Sequence, residues 1–307
     1  MEDHVQDFED RVALITGGAS GVGLGQAYAL GERGCRVAIV DVRQDALETA
    51  ATALAESGVD VLPLQFDIRE RDAWESAADR IERHFDAPIT LLFNTAGVNG
   101  FGPLEKATYA DFDWVFGVNF GGVVNGIQTV LPRMLAAGQG GHIMSVASMA
   151  GFQGSPAAAI YAASKAAVIN LMESYALTLA PLGVGVSVLC PASVRSDIAN
   201  TLNRRPAELA EGSSFNDDPE FVALQHRLYA GGMEPRELAQ HVCDAIENER
   251  FWVLPFTETR EGLRDYFDTI IAAYDDYDTD ETAAAGRAAA FERYRRDSEA
   301  LRSAGSA

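Results

Sequence analysis

The fold is decided by residues 12–23, which read VALITGGASGVG. An apolar run, Val12–Thr16, leads directly into a glycine-rich turn, and a segment with helical periodicity follows that turn. Short runs that are rich in β-branched residues and bounded by turn residues are typical of strands. Residues 12–23 therefore predict a buried strand, a tight turn and the beginning of a helix.

The same order recurs along the first two thirds of the chain. Further predicted strands are Arg36–Asp41, Val61–Phe66, Thr90–Asn94, His142–Ala147, Gly185–Cys190 and Phe251–Pro255. These runs are almost continuously apolar, which is typical of strands buried on both faces of a parallel sheet. The intervening segments predict helices at Gln44–Ser57, Asp72–Phe85, Tyr109–Ala137, Ala158–Leu179 and Pro235–Glu249. The predicted fold class is α/β, a doubly wound, seven-stranded parallel sheet of the Rossmann type with helices on both faces.

The pattern changes after the sixth predicted strand. Residues 195–235 have little strand character and contain RRP at 204–206, DDP at 217–219 and GG at 231–232, which predicts a substrate lid or insertion. Residues 256–307 place apolar side chains at helical spacing from Leu263 to Tyr274 and predict a second helix over Glu281–Arg302. We expect one domain, with the sheet in residues 1–255 and a helical C-terminal extension in residues 256–307.

Composition and charge exclude several functional classes. The 307 residues are 48% hydrophobic and carry 45 acidic against 24 basic side chains, a formal net charge of −21. This charge argues against nucleic acid or an anionic membrane as the main partner. The first ten residues lack the apolar core of a signal peptide, and no apolar run reaches the roughly 18 residues of a membrane helix. Three scattered cysteines predict neither disulfides nor a metal site, so we expect a metal-free cytoplasmic protein.

The glycine-rich turn predicts a dinucleotide site. Glycines between a strand and a helix let the backbone approach a pyrophosphate, which the N–H groups and dipole of the helix N-terminus then hold. Asp41 ends the second predicted strand, where a carboxylate can accept both hydroxyls of an adenosine ribose and repel a 2′-phosphate. NAD is therefore expected over NADP, although Arg43 lies two residues further on and could weaken that preference.

The strongest candidate for chemistry is Tyr161 with Lys165. Positions i and i+4 of a helix share a face, so the phenol and the ammonium can point into one cleft. A nearby cation favours the phenolate, and the positive nicotinamide of an oxidised cofactor would add to that effect. The chain contains only two lysines, at 106 and 165, which makes a chance pairing the minority interpretation.

Two further polar residues fall at positions suited to a site. Ser148 ends a predicted strand thirteen residues before Tyr161, where its hydroxyl could hold a substrate oxygen. Asn119 lies in the middle of a long predicted helix, where asparagine is unfavourable. Its side chain is therefore expected to hold a water or to interrupt the helical hydrogen bonds near the site.

These motifs resemble the short-chain dehydrogenase/reductase family over residues 8–255. The family's glycine motif appears as Thr16, Gly17, Gly21 and Gly23, and its catalytic tetrad as Asn119, Ser148, Tyr161 and Lys165. Two positions depart from the pattern, namely Thr95 within Asn94–Gly97 and Ala192 after Pro191. Cofactor-binding positions implied by the resemblance are Thr16, Gly17, Ser20, Gly21, Val22, Gly23, Asp41, Asp67, Ile68, Asn94, Ala96, Gly97, Tyr161, Lys165, Pro191, Val194 and Ser196. Ser20 stands where NADP-preferring members often carry a basic residue, which again implies NAD.

Some stretches are similar to the bacterial Cα-dehydrogenases of lignin β-aryl ether catabolism. They are residues 94–103, residues 111–114 and residues 260–263, and the extended C-terminus is similar too. The resemblance implies oxidation of the benzylic alcohol of arylglycerol-β-aryl ethers to the ketone by NAD. Candidate substrate-pocket residues on the predicted loops are Asn99, Phe101, Phe152, Phe215, Phe221 and Tyr229, although such aromatic side chains often only pack locally.

Other interpretations stay open. They are a dehydrogenase of another aromatic or alicyclic secondary alcohol, a reductase of carrier-bound 3-oxoacyl chains, and a dinucleotide sensor without catalysis. The acidic charge disfavours the second, and the presence of both Tyr161 and Lys165 disfavours the third. The resemblance implies a homodimer or homotetramer, with the helix from Tyr109 and the apolar stripe from Leu263 as candidate interface faces.

Overall fold

A computed structural model describes residues 7–210, 213, 219–277 and 279–305. The chain divides into two compact units, Met1–Thr257 and Glu258–Ala307. The second unit contains two helices and is described by itself below. The interpretation of residues 195–235 as a lid and of the extension as part of one domain stays a prediction.

The first unit is built on a parallel sheet whose strands were predicted to within one or two residues at most ends. Its strands are β1 (Val12–Thr16), β2 (Arg36–Asp41), β3 (Val61–Gln65), β4 (Ile89–Asn94), β5 (Gly141–Val146), β6 (Val184–Leu189) and β7 (Trp252–Val253). Within the described residues they form a seven-stranded sheet in the order β3-β2-β1-β4-β5-β6-β7. The predicted doubly wound α/β fold is confirmed.

The last strand is shorter than the sequence suggests. The prediction extended it over Phe251–Pro255, but only Trp252 and Val253 pair with Val188 and Leu189 of β6. Proline has no N–H with which to continue the ladder, so the apolar pattern of this segment is longer than its pairing.

Helices cover both faces of the sheet. They are α1 (Gly21–Gly31), α2 (Gln44–Glu56), α3 (Arg71–Phe85), α4 (Tyr109–Phe116), α5 (Gly122–Ala137), α6 (Ala159–Leu179), α7 (Ala207–Ala210), α8 (Pro219–Ala230) and α9 (Pro235–Glu247). One buried apolar cluster joins α1, α2 and α9 to one face, and another joins α3, α5 and α6 to the other. Alternate side chains of β1 pack on opposite faces of the sheet. Ala13 and Ile15 belong to the first cluster, and Val12 and Leu14 belong to the second.

The long helix predicted over Tyr109–Ala137 is divided in two. A π-helical turn, Gly117–Gly121, separates α4 from α5. Asn119 lies in this turn with 0% of its surface exposed, so it is not a solvent-facing helix residue. The predicted interruption at Asn119 is confirmed, and it is a local widening of the helix that hydropathy does not signal.

The described parts of the remaining segments contain further helices. Residues 195–235 contain a 3₁₀ segment, Ile198–Arg204, together with α7 and α8. The second unit holds α10 (Arg260–Ala272) and α11 (Glu281–Gly305). Over the part of the chain that the structure describes, no helix is both long enough and apolar enough to cross a membrane.

Candidate active site

A cleft of about 610 Å³ opens at the carboxyl ends of the strands. β1 pairs with β2 on one side and with β4 on the other, so the chain reverses its direction of winding here. Ligands of open α/β sheets bind at such a switch point. The cleft is lined by the glycine turn, the loops after β4 and β5, the first turns of α6 and parts of residues 195–235.

The glycine turn has the form of a phosphate cradle. Gly17 and Gly21 adopt left-handed backbone angles (φ +66° and +52°), and a Cβ on Gly23 would lie 2.3 Å from the carbonyl oxygen of Gly17. The side chain of Ser20 does not cap the N-terminus of α1, and the first turn of this fully described helix holds no acidic residue. Unused N–H groups at a helix N-terminus attract a phosphate, so these residues fit a dinucleotide.

Thr16 and Asn94 support the cleft from beneath. The hydroxyl of Thr16 accepts hydrogen bonds from the backbone N–H groups of Thr95 and Ala96 at 2.9 and 3.1 Å. Asn94 is buried and donates to the Ser145 hydroxyl at 3.2 Å. These two residues therefore fix the loop after β4, while Ala96 and Gly97 of that loop line the cleft.

The end of β2 holds an acidic residue whose carboxylate is already partly engaged. Oδ1 of Asp41 accepts from the backbone N–H and Nε of Arg43 at 3.1 and 3.0 Å, and its Oδ2 accepts from Nη2 of Arg43 at 3.1 Å. The same Nη2 donates to the Ser20 hydroxyl at 2.8 Å. Because a carboxylate offers about four acceptor positions, one position on Oδ2 stays free for a ribose hydroxyl.

Other predicted cofactor residues reach the same end of the cleft. Asp67 lines it but is paired with Arg69 at 2.7 Å, and Ile68 is buried beside it. On the reaction side, Val22, Pro191, Val194 and Ser196 also line the cleft. A Cβ on Gly21 would lie 3.1 Å from the Cβ of Ser196, so the glycine turn and residues 195–235 approach each other closely.

Ser148, Tyr161 and Lys165 are brought together on one wall of the cleft. Ser148 ends the loop after β5 and is hydrogen-bonded to the Tyr161 hydroxyl. Lys165 is 3% exposed; its Nζ lies 5.7 Å from the centre of the Tyr161 ring and donates to the Val146 carbonyl at 2.8 Å. The helical spacing that predicted a shared face therefore holds in three dimensions.

Burial dominates the titration of both groups. It lowers the pKa of Lys165 to about 8, so the buried ammonium is poised near neutrality. Burial also raises the pKa of Tyr161, the neighbouring Tyr229 raises it further, and the hydrogen bond from Ser148 opposes both effects. Lys165 alone therefore does not give the lowered phenol pKa that the sequence suggested.

Asn119 acts on the backbone beside the cleft. Its Oδ1 accepts from the Val98 N–H at 2.8 Å, while its Nδ2 donates to the Val98 carbonyl and the Ser164 hydroxyl, both at 3.0 Å. A Cβ on Gly97 would lie 3.4 Å from Oδ1 of Asn119 and 3.5 Å from Nζ of Lys165. The side chain thus joins the π-helical turn, α6 and the loop after β4.

The candidate substrate residues separate into three groups. Phe101 and Tyr229 line the cleft, and Asn99, 1% exposed, donates from Nδ2 to the Tyr229 hydroxyl at 3.4 Å. The structure places Phe152 elsewhere, because its ring packs against Trp252 and against the hydrophobic cluster under the sheet. Phe215 and the side chain of Phe221 lie outside the described part of the chain.

Sequence reasoning missed several cleft residues, among them Trp114 and Arg204. Trp114 lines the cleft next to the Arg205 guanidinium, which lies 5.3 Å from its ring centre. Arg204 lines it too, and its charge interacts with those of Arg43 and Asp41. The adjacent arginines at 204–205 were visible in the sequence, but only the fold shows that they approach α4 and β2. In the described residues, no three His, Cys, Asp or Glu side chains form a group that could hold a metal.

Comparisons with known proteins agree with this geometry. A family model described as short chain dehydrogenase matches residues 11–207. The C alpha-dehydrogenase of Sphingobium sp. (strain NBRC 103272 / SYK-6) is 44% identical over 293 residues, which cover 95% of this chain and 96% of that protein. A short chain dehydrogenase/reductase from Burkholderia phymatum in complex with NAD has a TM-score of 0.83 at 31% identity, covering 89% of this chain and 98% of its own. The apo form of LigD from Sphingobium sp. strain SYK-6 has a TM-score of 0.74 at 42% identity, covering 87% and 98%.

These similarities confirm the predicted resemblance and the predicted enzyme class, an oxidoreductase that acts on secondary alcohols. The chain belongs to the short-chain dehydrogenase/reductase family.

Proposed function

We propose that this enzyme transfers hydride from a benzylic secondary alcohol to NAD and oxidises the Cα hydroxyl of arylglycerol-β-aryl ether lignin dimers to the ketone. The observation that carries the proposal is the wall formed by Ser148, Tyr161 and Lys165 beside a glycine turn that fits a dinucleotide. A phenol, a hydroxyl and a buried ammonium at one point supply a base, an oxygen-positioning group and a charge that stabilises the base.

In this mechanism the Tyr161 hydroxyl, ionised, takes the proton of the alcohol. Ser148, already hydrogen-bonded to Tyr161, positions the alcohol oxygen. The glycine turn and Asp41 would hold NAD, which would supply the hydride acceptor and, in its oxidised form, a positive charge that favours the phenolate. That charge is needed because burial raises the pKa of Tyr161 in the protein alone.

Lys165 and Asn119 complete the proton path. Lys165, whose Nζ lies 5.7 Å from the centre of the Tyr161 ring, is assigned the stabilisation of the phenolate and the binding of the nicotinamide ribose. Its pKa of about 8 suits an ammonium that exchanges protons near neutral pH. Asn119 holds the adjacent loop and is assigned the water chain that carries the proton outwards past Lys165.

The adenosine end of the cleft supports NAD as the cofactor. Glycines and the uncapped end of α1 hold the diphosphate, and Asp41 offers an acceptor to the ribose. A 2′-phosphate would meet the carboxylate of Asp41, and the neutral Ser20 would not compensate for that repulsion. The Burkholderia phymatum relative, solved in complex with NAD, supports the same choice.

The proposed substrate rests on the apolar wall and on the relatives. Phe101 lies 6.4 Å from Tyr161 between ring centres, and Trp114 lines the same cleft, so aryl groups would stack near the reacting carbon. The Sphingobium relative is named a C alpha-dehydrogenase. A dehydrogenase of another aromatic or alicyclic secondary alcohol is the alternative, because an aryl-lined cleft alone does not specify the ether.

The test is reduction of NAD, followed by its absorbance, with an arylglycerol-β-aryl ether, a simple benzylic alcohol and an alicyclic alcohol. We expect turnover with the ether and NAD. Activity only on the simpler alcohols would overturn the lignin-dimer substrate and keep the reaction class. No turnover with any alcohol would overturn the reaction and favour a non-catalytic dinucleotide sensor.

We also propose that the enzyme is a cytoplasmic homodimer or homotetramer without a nucleic-acid or membrane partner. The formal net charge of −21 supports the absence of nucleic-acid and anionic-membrane partners. Exposed apolar side chains on α4 support an interface, since Tyr109 is 91% and Phe112 40% exposed. Light scattering at two protein concentrations would give the oligomeric mass.

A further inference from the structure

A second polar group faces the reaction site from residues 195–235. Tyr229, near the end of α8, lines the same cleft as Ser148 and Tyr161. Its hydroxyl accepts a hydrogen bond from Nδ2 of Asn99 at 3.4 Å. Because Asn99 is the donor in this hydrogen bond, the bond does not use the proton of the Tyr229 hydroxyl, which can be donated to a bound molecule.

Asn99 has the burial and support of a positioning residue. It is 1% exposed, and its backbone N–H donates to the Thr201 hydroxyl at 2.9 Å. Oδ1 of Asn99 is buried and has no hydrogen-bond partner in the described part of the chain. A buried amide that is left half-satisfied is unfavourable for stability alone, which points to a role in orienting Tyr229.

The position of Tyr229 beside Tyr161 limits what its hydroxyl can contact. Tyr229 and Tyr161 line the same cleft, and the charge of an ionised Tyr229 raises the pKa of Tyr161. The alcohol oxygen of the substrate is taken by Tyr161 and Ser148 in the proposed reaction. A donor in the same cleft as this pair, whose lining includes the aromatic side chains of Phe101 and Trp114, would meet an oxygen close to the carbinol.

We propose that Tyr229, oriented by Asn99, is a specificity-determining residue that donates a hydrogen bond to an ether or hydroxyl oxygen on the carbon next to the carbinol. This inference rests on the proposed function and names a feature that its substrate must have. The enzyme thereby selects alcohols with a neighbouring oxygen over plain benzylic alcohols. Such discrimination is strong when the absent oxygen leaves a buried donor unpaired.

The test is Tyr229→Phe, measured with two benzylic secondary alcohols that differ only in an alkoxy group on the adjacent carbon. The substitution removes one hydroxyl and keeps the ring. We expect kcat/KM to fall about ten-fold for the alkoxy substrate, as expected for the loss of one hydrogen bond to a buried acceptor, and to change less than about two-fold for the plain alcohol. The dissociation constant of NAD should stay unchanged.

Tyr175→Phe is the matched control. Tyr175 lies on α6, and its hydroxyl accepts a hydrogen bond from Nε2 of Gln128 on α5 at 2.9 Å. Tyr175 is not among the residues that line the cleft. We expect no change with either substrate in this variant. Asn99→Ala should produce the same substrate-dependent loss as Tyr229→Phe, with little additional loss in the double variant, because both residues act through one hydroxyl.

The outcomes separate the two proposals. An equal loss for both alcohols in Tyr229→Phe would overturn the inference, because it would show that Tyr229 acts only on Tyr161. No loss for either alcohol would overturn it as well. If the unmodified protein oxidised neither alcohol with NAD, the proposed function would fail first and this subsite would fail with it.

Discussion

Replacing Asp41 with serine should weaken the preference for NAD over NADP. The Asp41 side chain is 9% exposed and ion-paired with Arg43 at 3.0 Å, and a second guanidinium, that of Arg204, interacts with both charges. Removing the carboxylate abolishes its repulsion of a 2′-phosphate. It also releases Arg43, whose Nη2 already reaches Ser20 at the start of α1.

The size of the effect follows from the charges at this end of the cleft. Two unit charges about 5 Å apart interact by about 3 kcal/mol at an effective dielectric constant of about 20. Arg43 neutralises part of the charge of Asp41, and solvent reaches the partly exposed guanidinium. The repulsion between Asp41 and a 2′-phosphate is therefore expected to be somewhat more than half of this energy. A change of about 2 kcal/mol corresponds to a roughly 30-fold shift in the NADP-to-NAD ratio of kcat/KM.

The assay compares kcat/KM for NAD and NADP with one alcohol at saturating concentration, and dissociation constants of both cofactors by fluorescence quenching. Asp45→Ser is the control, because it removes the same charge from an exposed position in the first turn of α2. A shift below about three-fold, or an equal shift in both variants, would refute the assignment of Asp41 to the ribose, since it would leave only a change in net charge.

Three further substitutions test the site and its support. Tyr161→Phe should lower kcat by at least about 10³-fold while the NAD dissociation constant changes less than about two-fold; activity near that of the unmodified enzyme would remove Tyr161 from the chemistry. Lys165→Met should abolish turnover. It should also raise the melting temperature, because burial lowers the pKa of Lys165 to about 8 and a buried ammonium therefore destabilises the unmodified protein. The gain in melting temperature should be largest below pH 8, where the lysine is charged both folded and unfolded. This advantage should shrink as the pH rises towards about 10.5, where the unmodified lysine is neutral both folded and unfolded, and a pH-independent difference in melting temperature would contradict the buried ammonium. Arg205→Met should lower the free energy of unfolding by about 3 kcal/mol, because Asp111 is left as a buried carboxylate without its ion-pair partner at 2.5 Å. In urea unfolding, the double variant with Asp111→Asn should recover most of this free energy. No recovery would show that the packing of Arg205 on Trp114 dominates.

The sheet was predictable because its strands are buried on both faces. Such strands are apolar at nearly every position, so their limits appear directly in the sequence, as in Val12–Thr16 and Arg36–Asp41. The helix predicted over Tyr109–Ala137 is interrupted at Asn119, as the sequence allowed, but the π-helical form of the interruption over Gly117–Gly121 was not predicted, because hydropathy carries no signal for it. In this turn Asn119 is hydrogen-bonded to Val98, 21 positions away, a contact that no local pattern contains.

The grouping of Tyr161 with Lys165 was predictable, whereas the contacts at the two ends of the cleft were not. Tyr161 and Lys165 are one helical turn apart, so local geometry alone puts them together. The pairing of Asp41 with Arg43 was also local, but the approach of Arg204 to this pair depends on the path of residues 195–235. Likewise, Asn99 and Tyr229 are separated by 130 positions, and apolarity suggested only that both belong to a pocket.

Residues 195–235 connect the two halves of recognition. Arg204 acts at the adenosine end, Tyr229 lies at the reaction end, and between them Arg205 is fastened to α4 through Asp111. The base of the segment is fixed by pairing of Val194 with Met233. Because one segment contributes to both ends, a change that loosens its anchor at Arg205 should raise the KM of the alcohol and the dissociation constant of NAD together. A substitution at Tyr229 should affect the alcohol alone. The cleft is therefore better described as one continuous surface with an adenosine end and a reaction end than as a cofactor site with a separate substrate pocket.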